Sequence, residues 1–139
     1  MRETFLMGRI IVGAFYIYNG INHFLRFTAL TEYAKSKGVP FPEGGIAVTG
    51  VLLLIAGITF LLGIFPEIGV ASVVIFFIPV TFLMHNFWAV SQEQKAMDMV
   101  NFAKNMALMG SALMFLMIKK PWPYSLKGKK SIPIFTHRA

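Results

Sequence analysis

Four long apolar runs divide the chain: Phe5–Leu25, Ile46–Phe65, Ile68–Trp88 and Phe102–Ile118. Each is close to the ~20 residues an α-helix needs to cross a bilayer core of ~30 Å. The middle two contain no Lys, Arg, Asp or Glu. The first contains Arg9, and the fourth has Lys104 near its start. The first run is too long for a signal-peptide core and is followed by no small-residue cleavage site, so it reads as a mature helix. The pattern predicts an all-α integral membrane protein, a four-transmembrane-helix bundle over residues 1–118, followed by a basic, proline-containing tail over 119–139.

The polar segments between the runs fit that plan. "FPEIG", Phe65 to Gly69, reads as a tight turn between the second and third spans. "TALTEYAKSK" predicts a short amphipathic surface helix between spans 1 and 2. Leu30, Tyr33 and Ala34 would face lipid, Glu32 and the lysines water, and Gly38 would end it. "VSQEQKAMDMVN", Val90 to Asn101, predicts a start of the fourth helix outside the bilayer.

Composition sharpens the class. Charged residues make up 14% of the chain and hydrophobic ones 56%, against roughly 25% charged in a soluble domain. There is no cysteine, which removes disulfides, thiolate nucleophiles and Cys metal sites. The net charge of +7 is first a topology signal, and no nucleic-acid partner is expected. Four spans put both termini on one side, with Arg2, Arg9, Lys119, Lys120, Lys127, Lys129, Lys130 and Arg138. The other side holds Arg26, Lys35, Lys37, Lys95 and Lys104. The bias predicts cytoplasmic termini, and the tail is expected on anionic lipid or a partner.

The candidate chemistry lies near the outer ends of the spans. Asn19, Asn22 and His23 share one helix face, as do Thr81 and His85, with Asn86 and Trp88 beside them. Lys104 and Asn105 sit at the outer start of the fourth run. These groups predict a polar pocket walled by His85, facing His23 and Lys104, with Phe87 and Trp88 as flat apolar walls. Several readings stay open: interface anchoring, an internal hydrogen-bond network, a haem held by two histidines, and a quinol or lipid headgroup. No metal site is expected, because a third protein ligand is not evident.

Other features speak of packing. Gly50 and Gly57 form one small-residue stripe, and Ala103, Ala107 and Ser111 another, each expected against a neighbouring helix. Pro79 predicts a kink that turns His85 inward. Arg9 is expected to snorkel to the headgroups, with Glu67 as a candidate partner.

The stretches "GRIIVGAFYIYNGINHF", "KGVPFPEGGIAVTGVLLLIAGITFLLG", "PVTFLMHNFW" and "NFAKNMALMGSALM" together resemble the DoxX family of small four-helix membrane proteins, from Gly8 to about Leu116. The family pattern falls on Arg9, Gly13, Gly20, His23, Gly38, Pro40, Gly50, Gly57, Gly63, His85, Trp88, Lys104, Asn105 and Gly110. The resemblance implies an acid within the second span near Leu53 in many relatives, and this chain has none there. The resemblance implies an accessory subunit of a quinone-linked membrane redox complex in a bacterial or archaeal plasma membrane. Implied partners are membrane lipid and other complex subunits or further copies of the chain. The chain has no cofactor motif of its own, and quinone is the implied ligand. The distant similarity of this family to the eukaryotic Surfeit-locus cargo receptor keeps a second expectation open, a non-catalytic structural, assembly or trafficking protein.

Overall fold

The structure is a computed structural model that describes residues 1–126. The tail lysines Lys127, Lys129 and Lys130, and Arg138, lie outside the described residues, and with them most of the expectation about the tail. Five α-helices follow in order: α1 (Arg2–Leu25), α2 (Phe27–Ser36), α3 (Pro42–Leu62), α4 (Pro66–Met84) and α5 (Gln92–Met114). A 3-10 turn, Phe115–Met117, extends α5. No strand occurs among the described residues. Four of the helices are long and apolar enough to cross a membrane: α1, α3, α4, and α5 with its extension. The short α2 lies between spans 1 and 2, where the amphipathic pattern puts it.

Local chemistry sets the boundaries. Pro42 and Pro66 open α3 and α4, where a missing N–H costs nothing. Gly63 closes α3 at φ 68°, a left-handed conformation that glycine adopts without strain. Gly38, at φ 74°, follows α2 in the same way.

Neighbours in space follow the chain: α1 packs on α3, α3 on α4, α4 on α5, and α2 lies against α3, while α1 and α5 have little direct contact. The closest approach is α1 on α3. A Cβ built at Gly57 would lie 2.6 Å from Ile17 Cγ1 and 2.8 Å from the Gly13 carbonyl oxygen, so backbone meets backbone there. At the α3–α4 contact a Cβ on Gly69 would lie 2.2 Å from Thr59 Oγ1. The core runs through Tyr16, Leu53, Phe60, Val73, Phe77 and Trp122. Outward faces carry exposed Ile11, Ile58, Ile75 and Met114, as a bilayer-facing surface requires.

Three expectations change. Ala103, Ala107 and Ser111 are exposed and do not form the inward stripe of α5. That stripe is Asp98, Asn105 and Ala112, buried and spaced by seven, so the side chains turned inward are two polar groups and one alanine. On α2, Ala34 is buried in the protein rather than facing lipid. The domain boundary expected at residue 118 cuts the core. Trp122 is 2% exposed and sits in an aromatic cluster with Phe5, Phe60 and Phe115, at centroid distances of 5.2, 6.3 and 5.4 Å. Burial of so large a ring fastens the segment after the fourth span into the terminal end of the bundle.

Candidate functional site

At the end of the bundle away from the termini, α1, α2, α3 and α4 surround a cavity of about 530 Å³. Its wall is apolar, with Leu52, Phe76 and Pro79 among the lining residues. Four polar side chains interrupt it: His23, Tyr33, Thr49 and His85. Volume and lining are those of a small-molecule site, a hydrophobic cleft with a few convergent polar groups.

Each of these groups is held by the local fold. His23 lies one turn along α1 from Asn19, and its Nδ1 is 2.8 Å from the Asn19 carbonyl oxygen. Thr49 Oγ1 donates back to the Gly45 carbonyl at 2.7 Å. His85 is not on the third spanning helix, which stops at Met84. It is the residue that follows, at φ −123°. The apolar run expected as helix to Trp88 therefore breaks one turn early. The break carries His85 to the start of α5, where its Nδ1 lies 3.1 Å from Asp98 Oδ1. Lys37, just past α2, reaches the other carboxylate oxygen at 2.9 Å. Asp98 thus ties the ends of α2 and α4 to α5. All three side chains are largely buried, so the interaction is far less screened than a surface ion pair.

Of the nine residues expected at a polar pocket, His23 and His85 line the cavity and the other seven do not. Lys104 does not face His85; it is exposed and donates to Asn101 Oδ1 at 2.9 Å. Asn19 donates to its own helix at the Phe15 carbonyl, and Asn22 is half-buried. Thr81 and Asn86 have buried side-chain oxygens without a hydrogen-bond partner, and Asn105 is buried on the inner stripe of α5. Trp88 is 57% exposed, against Phe82, Phe87 and Phe102. The pocket is therefore apolar rather than polar, because the α5 amides and amine are spent within α5 or turned to the bundle interior away from the cavity.

Asp98 is the residue that sequence reasoning missed. It stands in a polar stretch with Glu93 and Lys95, where hydropathy alone does not single it out. The spacing of seven to Asn105 and Ala112 is the signal that could have found it. Leu53 is a buried core residue.

A second polar cluster closes the terminal end. Arg9 is 2% exposed and does not snorkel. Its guanidinium donates to the Pro123 and Tyr124 carbonyls at 2.8 and 3.2 Å. Gly63 makes room for it, since a Cβ there would lie 2.5 Å from Arg9 Nη1. Glu67, the expected partner of Arg9, pairs instead with Lys120. The Tyr124 hydroxyl donates to Glu3 at 3.0 Å, and the carboxylate holds the phenol above its ordinary value, because ionisation would set two anions together.

Residues 4–86 match the DoxX family, which covers more than half of the sequence and all four cavity-lining helices. The chain belongs to the DoxX family. It is also similar to the inner membrane protein YphA of Escherichia coli (strain K12), at 26% identity over 121 residues, 87% of this chain and 86% of that protein. No solved structure gives a significant match. Fold and family together make this an integral multi-pass membrane protein. Both cavity histidines and Arg9 fall inside the DoxX match. Asp98, Lys104 and Trp122 fall beyond it.

Proposed function

We propose that this DoxX-family protein is an accessory subunit of a quinone-linked membrane redox complex, and that its cavity seats the ring of a membrane quinol or quinone. The observation that carries the reading is the apolar cavity of about 530 Å³ with His23 and His85 in its wall. A flat substituted ring needs apolar walls and a few oriented hydrogen-bonding groups, and the lining offers both. A lipid acyl chain would use the walls and leave the imidazoles idle. In this reading the chain binds and orients the ring, and partner subunits carry the electrons. The termini face the cytoplasm, following the basic residues on that side.

The test is purification of the tagged chain from its own membranes in mild detergent, with mass spectrometry and a visible spectrum. The reading expects partner subunits that bear redox cofactors, at a fixed ratio to the chain. Secreted client proteins as the main partners would favour a trafficking role and sink the redox assignment. Single cysteines at Ser36 and Ser91 should react with an impermeant maleimide on intact cells, and one at Ser131 should not. Labelling of all three would overturn the orientation.

A further inference from the structure

Apart from Tyr33, every polar side chain on the cavity wall has committed its donor to the protein. Thr49 gives its proton to the Gly45 carbonyl. A carbonyl oxygen only accepts, so the His23 Nδ1 near Asn19 carries the proton, and Nε2 keeps a lone pair. The carboxylate of Asp98 does the same to His85. Lys37 holds the other carboxylate oxygen at 2.9 Å, so the two oxygens of Asp98 are divided between Lys37 and His85. Pro79 adds another acceptor. It has no N–H, which leaves the Ile75 carbonyl without its helical donor, and both residues line the cavity. Apart from the Tyr33 hydroxyl, the side chains that meet a ligand there are acceptors.

We infer that the cavity selects a ring bearing hydroxyl groups over the same ring bearing carbonyls, and that Asp98, anchored by Lys37, imposes that choice by fixing the tautomer of His85. The inference rests on the reading that a ring enters the cavity. Asp98 is a positioning residue. It does not line the cavity, and it acts through the imidazole that does.

The arrangement makes one substitution diagnostic. In Asp98→Asn the ammonium of Lys37, a donor only, draws the amide oxygen to itself. The amide nitrogen then faces His85 Nδ1 and donates to it. Nδ1 becomes the acceptor, the ring proton moves to Nε2, and the imidazole offers a donor to the cavity. The preference should turn toward the carbonyl form.

Equilibrium dialysis of the purified protein in detergent, without oxygen, would compare trimethylhydroquinone, trimethylbenzoquinone and the dimethyl ether of the hydroquinone. The parent should bind the hydroquinone about tenfold more tightly than the other two, the scale of one hydrogen bond. Asp98→Asn should reverse the hydroquinone-to-quinone order. Lys37→Met added to Asp98→Asn should weaken the reversal, because the amide is then free to rotate. Nitrogen-15 spectra of labelled histidine, assigned by loss of the signal in His85→Gln, should show a proton on Nδ1 in the parent and on Nε2 in Asp98→Asn. The parent arms and the parent spectrum decide the matter even if the variant does not fold. Equal binding of all three rings by the parent, or a parent proton on Nε2, would overturn the inference and leave the ring-binding reading standing. Failure of every ring to bind would overturn both.

Discussion

Substitution of Gly57 by alanine probes the contact on which the bundle is built. The added methyl carbon would stand 2.6 Å from Ile17 Cγ1, 2.7 Å from Ile17 N and 2.8 Å from the Gly13 oxygen. The first clash can be relieved by a rotamer change. The other two involve α1 backbone, so α1 and α3 must separate along their length. Overpacking of this kind costs about 1–3 kcal/mol. Gly8→Ala is the matched control. Gly8 is also helical and lies on α1, but a Cβ there meets nothing within 4 Å. That change should be neutral or stabilise by about 0.5–1 kcal/mol, because alanine loses less chain entropy in a helix. Thermal unfolding in one mild detergent, followed by circular dichroism, compares the two. Gly57→Ala should melt several degrees below the parent and Gly8→Ala at or above it. Equal melting of Gly57→Ala and the parent would refute the backbone contact between α1 and α3.

Three further outcomes follow from the same packing. Trp122→Ala should cost about 3–5 kcal/mol by the same melting assay, because it empties an aromatic cluster; a change under ~1 kcal/mol would put residues 119–126 outside the fold. Arg9→Met leaves the Pro123 and Tyr124 carbonyls without their donor, so trypsin should cut after Lys119 faster than in the parent, and an unchanged cutting rate would show that Arg9 does not hold the segment. Ala107→Leu, on an exposed face, should shift stability by no more than about 0.5 kcal/mol, and a larger loss would return Ala107 to an interface.

The spans were legible because hydropathy over twenty residues averages out local noise, and α2 because its apolar positions recur at helical spacing. Gly50 and Gly57 were legible as small residues, and the structure sets them against α1. The placement of α5 was not. Its first half is polar on several faces, so composition favoured Ala103, Ala107 and Ser111 over the buried Asp98 and Asn105. His85 and His23 were found as polar groups in apolar runs. The partner of His85 was not, because it sits across a helix break that the unbroken run to Trp88 concealed. Trp122 has a proline on each side and no periodic neighbours, so nothing in the tail marked it as core. Arg9 pointed toward snorkelling because its acceptors are backbone carbonyls more than a hundred residues away.

The central claim, that the loop-end cavity holds a ring, is tested most directly by quinone retention. Val48 lines the cavity and is 59% exposed, so Val48→Trp can fill the space without disturbing the core. The parent, Val48→Trp and His85→Ala would be purified side by side from quinone-containing membranes, and the quinone plus quinol per chain measured by solvent extraction and mass spectrometry. The account predicts close to one ring per parent chain, a large loss in Val48→Trp at a parental melting temperature, and a smaller loss in His85→Ala. Equal retention in all three, or phospholipid as the sole retained ligand of the parent, would contradict it.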